Sequence, residues 1–367
     1  MYLKRLKLKN YRLFQDVDIS FQHGMNVLIG KNSTGKSTVL EAINFLLSNN
    51  NANIPVEEII PYDLRNQQNV QAFIEGHFEM SEIEKSSVCS TIKNQNDSNK
   101  IKESSIVIIF KKNIIKTGKN IQVIPNVKTE GNGISRNLNL LNHVINSMLP
   151  KMQTNNVLKV TDIESNDSAQ QLRPFFELVQ LVSQHPSFLG QYLRNTLYEI
   201  KLGNVEEFIR IKTEIIKAYS EMSDMDIEFD PKRAQVQIYF RKPDSDIKIP
   251  LESEGAGIRE FLYLLLTLRN FPDTIILKDE ALTHLHKSLL SDFILAIDGL
   301  QYQMITTSHI KELIMTLDFG NIIICRKSEG NTTVKNLMRA DEIEKLLDEL
   351  GYPINDISEI DSLIQKD

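Results

Sequence analysis

Lys36 and Ser37 close an eight-residue stretch, Gly30-Lys31-Asn32-Ser33-Thr34-Gly35-Lys36-Ser37, whose residue types suit the holding of nucleotide phosphates. The spacing is that of a P-loop, G-x-x-x-x-G-K-[ST]. Gly30 and Gly35 let the backbone wrap closely and aim its N–H groups inward. Lys36 would reach the β- and γ-phosphates, and the Ser37 hydroxyl would ligate Mg²⁺. These eight residues and Thr38 form the candidate nucleotide-binding set. The bland alternative is a glycine turn with no ligand, and the context argues against it. The apolar run 25–29 before the loop reads as a buried strand, and 38–47 after it has helical spacing, with Leu40, Ile43, Phe45, Leu46 and Leu47 available for one face. A helix so placed turns its positive dipole end toward an anion.

A second constellation lies far along the chain. The apolar segment 274–277 leads through Lys278 into Asp279 and Glu280, a carboxylate pair at a strand end. In a P-loop fold this is the Walker B arrangement: Asp279 would hold Mg²⁺ through water, and Glu280 would polarise the attacking water. Alone, an acidic pair after an apolar run is weak evidence; the P-loop and the order of elements strengthen it. The segment 303–306 is another strand and ends in Thr307-Ser308-His309. Ser308 or Thr307 could cap the helix that follows, and His309 could donate a hydrogen bond to the γ-phosphate. The stretch Ser253-Glu254-Gly255-Ala256-Gly257-Ile258-Arg259-Glu260 opens a helix over 257–268, and its glycines free a helix N-terminus for a phosphate. It is either a plain glycine-rich turn or a second anion site, and the second suggests a nucleotide sandwiched between two copies.

Positioning these groups requires an α/β framework. Segment 3–21 reads as two strands around Asn10-Tyr11-Arg12, and 70–78, 106–110 and 121–124 as further strands. Segment 86–105 is polar and reads as a surface loop. From 138 to 219 the period becomes helical, carried by Leu140, Leu141, Val144, Ile145 and Met148, by Phe176, Leu178, Leu181 and Val182, and by Phe208, Ile211, Ile215 and Ile216. Strands over 235–240, 274–277, 303–306 and 322–325 then alternate with helices over 257–268, 285–300 and 310–317, which argues for a mainly parallel sheet. A last helix covers 341–350. The organisation is thus 1–137, the first half of an α/β domain; 138–225, an inserted helical lobe; 226–337, the second half; and 338–367, a helix and tail.

Composition excludes several classes. The 367 residues carry a net charge of -6, so nucleic-acid contact would need a local basic patch rather than a basic coat. Candidates are Lys4, Lys7 and Lys9, with Lys111, Lys112, Lys116 and Lys119; solubilising surface charge is the other reading. Cys89 and Cys325 offer neither a disulfide framework nor zinc spacing and read as inert thiols. The N-terminus alternates basic and apolar residues, and the run 261–266 is far too short to span a bilayer. A cytoplasmic protein without membrane contact is expected.

With these motifs in hand, the chain resembles ABC-type ATPase heads of the SMC/RecF/OLD group, OLD-like members of the AAA ATPases, over roughly residues 1–337. The fold implied is a P-loop NTPase with a mixed or parallel ABC-type sheet and an inserted helical lobe. Lys9-Asn10-Tyr11-Arg12 is similar to the N-terminal Asn-Phe-Arg element, which implies that Arg12 lies beside the nucleotide. Ser253-Glu254-Gly255 resembles the signature motif, implying that Ser253, Glu254, Gly255 and Gly257 bind the γ-phosphate of a partner's ATP. Segment 281–286 resembles the D-loop region and Thr307-Ser308-His309 the switch-histidine loop. Ala281 stands where proline is usual and Lys278 where an apolar residue is usual; Lys278 is expected to point away from Asp279 and snorkel to a partner. Gln153 is one guess for the Q-loop. The Toprim domain of OLD nucleases is not expected here: Asp341, Glu342, Glu344, Asp348, Glu349, Asp356, Glu359 and Asp361 read as a solvated acidic face and tail, so nuclease activity is not predicted.

The resemblance implies ATP and Mg²⁺ as cofactors, with Glu280, His309 and Lys36 as catalytic groups. It also implies an ATP-driven homodimer or higher oligomer that controls DNA binding or a separate effector protein, in DNA repair or antiviral defence. The alternative is a scaffold that binds ATP to assemble and barely turns over.

Overall fold

The computed structural model describes residues 1–47, 56–80, 107–118, 120–130, 157–160, 189–219, 221–271, 274–285, 287–297, 299–328, 331–337 and 341–351. The chain divides into two compact units. One takes Met1–Val157, Asp273–Asp279 and Tyr302–Asp367; the other takes Leu158–Pro272 and Glu280–Gln301.

In the first unit, strands β1 (Tyr2–Tyr11), β2 (Phe14–Ser20), β4 (Asn69–Glu79), β5 (Val107–Thr117) and β6 (Asn120–Glu130) form an antiparallel sheet in the order β2-β1-β4-β5-β6. The parallel sheet expected from the alternation of strands and helices is present beside it. Its strands in this unit are β3 (Gly24–Ile29), β11 (Ile275–Lys278), β12 (Gln303–Ser308), β13 (Ile322–Ser328) and β14 (Asn331–Asn336), in the order β14-β13-β3-β12-β11; a short strand β7 (Val157–Val160) begins at the last residue of the unit's first segment. The pairs β13–β3, β3–β12 and β12–β11 are parallel, and β14 is antiparallel. Met25 to Ile29 are all buried, as a central strand covered on both faces requires.

Helix α1 (Lys36–Leu47) touches β4 and β5 on the antiparallel sheet and β11 and β12 on the parallel one. That explains why Val39, Leu40, Ala42, Ile43, Phe45, Leu46 and Leu47 are all buried rather than forming a single stripe. Gln303 stitches the two sheets: its side chain accepts from the Leu3 N–H at 2.7 Å and donates to the Leu3 and Gln22 carbonyls at 2.8 and 3.0 Å. A buried amide so satisfied fixes the register of β1 against β12 at little cost.

The strands expected over 106–110 and 121–124 are longer, eleven residues each. Lys111, Lys112, Asn113 and Pro125 break the apolar pattern, but β5 is hydrogen-bonded along both edges, and pairing carries the strand through them.

In the second unit, α3 (Leu189–Gly203) and α4 (Val205–Ala218) form a helical pair, with the Asn204 side chain accepting from the Glu207 N–H at 3.1 Å as N-cap. Strands β8 (Asp224–Asp230), β9 (Gln235–Arg241) and β10 (Ile249–Pro250) make a small antiparallel sheet. Helix α5 (Ala256–Asn270) touches α3 and α6 (Lys287–Ile297), and buries Ile258 and the whole run Phe261 to Leu268. This unit is therefore not helical throughout. The sequence reading passed over β8, whose Asp-Met-Asp-Ile-Glu-Phe-Asp alternation buries Met225 and Ile227.

Helix α2 (Val56–Ile59) and the later helices α7 (Lys311–Thr316) and α8 (Asp341–Glu349) are the remaining α-helices among the described residues. Helix α8 buries Ile343, Leu346 and Leu347 and leaves Asp348 and Glu349 exposed, as a solvated acidic face requires. Cys89, Lys119, Gln153, Asp356, Glu359, Asp361, the loop over 86–105 and the apolar periodicities over 140–148 and 176–182 lie outside the described residues.

Candidate functional site

The phosphate loop runs from the buried end of β3 into α1. Gly35 sits at φ +89°, and a Cβ there would lie 2.8 Å from the Phe14 ring. At Gly30 a Cβ would lie 2.2 Å from the Cys325 carbonyl oxygen of β13, so the loop backbone is pressed against the neighbouring strand. Both glycines are thus demanded by the local geometry. The Thr34 hydroxyl donates to the Lys31 carbonyl at 2.8 Å, and the Lys36 ammonium donates to the Gly30 and Lys31 carbonyls at 2.7 and 3.0 Å. Lys36 is only 8% exposed. Its charge helps close the loop. Lys31, Asn32, Ser33 and Ser37 are exposed, and Thr38 is half-buried. Cys325 is buried, which pushes its thiol up to about 12 despite the nearby Lys36 charge, and it reads as inert.

Three parallel strands end side by side. β3 delivers the loop, β12 beside it delivers Thr307, Ser308 and His309, and β11 beyond it delivers Asp279. The Thr307 hydroxyl donates to a carboxylate oxygen of Asp279. Ser308 Oγ accepts the Ile310 N–H at 3.1 Å. Neither residue considered as a cap fills that role: the N-cap position of α7 is Ile310, with no side-chain cap, while Ser308 turns the chain just before it and Thr307 serves Asp279. Asp279 and Glu280 are exposed and His309 is half-buried. Glu280 has φ +50° and Leu282 φ +68°, left-handed conformations that cost energy in a non-glycine residue. Lys278 is 6% exposed, so its stem and head are both covered.

Arg12 occupies the first loop position between Tyr11 and Phe14, at φ +50°, where a glycine would be unstrained. Its N–H donates to the Ile59 carbonyl at 2.6 Å, and its guanidinium pairs with Glu41, on the helix that leaves the phosphate loop. The Arg12 side chain is thus directed to α1.

In the second unit, Ser253, Gly255 and Ala256 are exposed at the N-terminus of α5, which has no side-chain cap. The loop before it is held from behind. Arg259 donates to the Glu252 and Glu254 carbonyls at 3.1 and 2.8 Å, and the fully buried Arg194 pairs with Glu252 and donates to the Tyr263 hydroxyl at 2.7 Å. Gly257 is again demanded by a close approach: a Cβ there would lie 2.5 Å from the His284 carbonyl oxygen. Sequence reasoning missed Arg194 and Phe14, gave Arg259 and Glu260 no role of their own, and weighed Thr307 only as a helix cap, because the partners of most of these residues are distant in the chain.

The basic candidates separate. Lys4 pairs with Glu79, and Lys111 with Glu75 at 2.9 Å. Lys116 donates to the Arg65 and Gln67 carbonyls. Lys112 is a correction: it points into the core, 4% exposed, donating to the Phe45 carbonyl at 2.6 Å, and takes no part in a surface patch. Burial lowers its pKa to about 8.

The donor set fits a nucleotide and a hard cation. Backbone N–H groups and an ammonium line a close-wrapped loop, and the hydroxyl of Ser37 and the carboxylate of Asp279 are oxygen donors of the kind Mg²⁺ takes. Comparison with known proteins bears on the nucleotide. A family model described as an AAA ATPase domain matches residues 1–314. The DNA replication and repair protein RecF of Streptococcus gordonii is 48% identical over 46 residues, 12% of this chain and 13% of that protein. RecF of Streptococcus uberis is 41% identical over 69 residues, 18% of this chain and 19% of that protein. The chain therefore spans less than a fifth of the length of these curated relatives. Among solved structures, an SMC head bound to the C-terminal winged-helix domain of ScpA superposes with a TM-score of 0.55 at 16% identity, over 94% of this chain and 99% of that one. The SMC head domain of Thermotoga maritima gives 0.50 at 14% identity, over 92% and 100%. At such identities the likeness is one of fold.

Proposed function

We propose a function for a chain that belongs to the AAA ATPase domain family and has the fold of an SMC/RecF-like ABC-type ATPase head: an ATP-hydrolysing switch whose nucleotide state sets its association with a second copy. As a member of that family it is an ATPase. The observation that carries the reading is the alignment of the three parallel strand ends bearing Gly30–Ser37, Thr307–His309 and Asp279. Lys36 and the N–H groups from Gly30 to Thr38 hold the phosphates, with the Arg12 guanidinium beside the helix that follows. Ser37 and Asp279 would hold Mg²⁺, which when bound supplies neutralisation of phosphate charge. Glu280 orients a water and accepts its proton, and His309 donates a hydrogen bond toward the γ-phosphate. Ser253, Glu254, Gly255 and Gly257 of one copy complete the site of the other, because the uncapped N-terminus of α5 offers free N–H groups to an anion.

The output we propose is control of DNA binding or of a separate partner protein, in the cytoplasm, in DNA repair or defence against phage. The curated relatives named for DNA replication and repair, and the SMC head solved with a ScpA domain, support a link to DNA and to a partner. The test is phosphate release by wild type and Glu280→Gln. The variant is expected to bind Mg·ATP, to hydrolyse it on the order of a hundredfold more slowly, and to accumulate as a dimer with ATP but not with ADP. Hydrolysis at the wild-type rate would remove Glu280 as the base.

A further inference from the structure

The Glu260 carboxylate lies one turn beyond Gly257 on α5. Its Oε1 accepts the N–H of Leu282 at 3.0 Å, across 22 residues of chain. Leu282 follows Glu280 by two residues, and both are held in the left-handed region, at φ +68° and +50°. The same segment meets α5 at Gly257, where only a hydrogen fits against the His284 carbonyl. Short bonds close it internally: Thr283 Oγ1 donates to the Glu280 carbonyl at 3.2 Å, and the Leu285 N–H to the Leu282 carbonyl at 3.2 Å. Two strained residues persist only where their surroundings over-determine them. Here those surroundings include α5, one bare glycine and one carboxylate.

The other oxygen of Glu260 sharpens the point. Oε2 is buried and has no hydrogen-bond partner among the described residues. A half-satisfied buried carboxylate is costly, and an apolar side chain at this position would remove that cost. What Glu260 supplies in exchange is the single bond that fixes the Leu282 N–H.

We propose that Glu260 is a positioning residue that couples the α5 N-terminus to Glu280. The helix whose first turn would meet a partner's phosphate also carries, one turn on, the acceptor that sets the backbone bearing the water-activating carboxylate. Engagement of Ser253 and Gly255 then shifts α5 as a rigid element and carries the Glu280 segment with it. The inference rests on the reading of Glu280 given above, and it adds the link between the two halves of a shared site.

The test opposes charge against reach. Glu260→Gln keeps an acceptor oxygen at the right distance and loses the charge. Glu260→Asp keeps the charge and withdraws the oxygen by one methylene. The coupling predicts kcat for ATP within about threefold of wild type for Glu260→Gln, and roughly tenfold or more lower for Glu260→Asp, with KM for ATP within about twofold in both. Amide exchange of a peptide covering 280–285 should be faster in Glu260→Asp and unchanged in Glu260→Gln. Equal kcat in the two variants, or a loss that follows charge, overturns the proposal, as does an effect confined to KM. Glu280→Gln run in parallel separates the two readings. If Glu280→Gln is slow and Glu260→Asp has wild-type kcat, the coupling fails and Glu280 stands. If Glu280→Gln is itself unimpaired, the assignment of Glu280 fails first.

Discussion

Lys36 has two sets of acceptors. Its ammonium closes the loop on the Gly30 and Lys31 carbonyls, and a nucleotide's phosphates would draw on the same charge. Lys36→Ala is therefore expected to abolish ATP binding and also to lower folding stability by about 1–3 kcal/mol, because two carbonyls lose a charged donor in a largely buried place. Calorimetric titration and urea unfolding check the two effects separately; wild-type stability together with lost binding would mean that the loop closes without the lysine. At this scale the site was legible where its residues are contiguous. The eight residues from Gly30 to Ser37 and the Asp279-Glu280 pair declare themselves by type and spacing. Glu260 did not, and Thr307 stood only as a candidate cap in the loop before His309, since their partners Leu282 and Asp279 lie 22 and 28 residues away and nothing local marks the pairing.

Helix α1 must present Lys36 and Ser37 from a fixed place, and Lys112 helps to fix it. Its ammonium reaches from β5 to the Phe45 carbonyl in the last turn of α1, where the negative end of the helix dipole favours a cation. The Phe45 ring also lies 4.5 Å from that ammonium. Burial works the other way and depresses the Lys112 pKa from 10.5 to about 8. Between these values the unfolded chain holds a proton that the folded chain has released, so stability contributed at this site rises with pH and is lost as pH falls through 8. The unfolding free energy of wild type minus that of Lys112→Met is expected to increase from pH 8 toward pH 10, measured by urea unfolding. A difference that is flat or falls with pH would contradict the assignment. Elements were legible where apolar periodicity was clean, as in β3, β11, β12 and α1. They were not where pairing overrode composition, as in the polar half of β5, or where acids alternate with a short apolar row, as in β8.

On the scale of the whole molecule, the order of elements in the sequence was enough for the parallel sheet, and the resemblance of its motifs implied the ABC-type fold. It did not announce the size of the antiparallel sheet in the first unit or the small sheet in the second, because strands with one solvated face carry weaker signals than buried parallel ones. If nucleotide bound by one copy engages α5 of the other, two copies with two-fold symmetry enclose two ATP molecules. The direct test mixes two variants, each broken in a different half of the shared site. Asp279→Asn keeps an oxygen for the Thr307 hydroxyl and loses the metal ligand, while Ser253→Arg obstructs the exposed N-terminus of α5. Each alone should be inactive. An equimolar mixture pairs the intact phosphate loop of one with the intact α5 of the other, and random pairing predicts roughly a quarter of wild-type phosphate release. Full activity of Ser253→Arg by itself, or no recovery once native mass spectrometry has established mixed dimers, would contradict a site built from two chains.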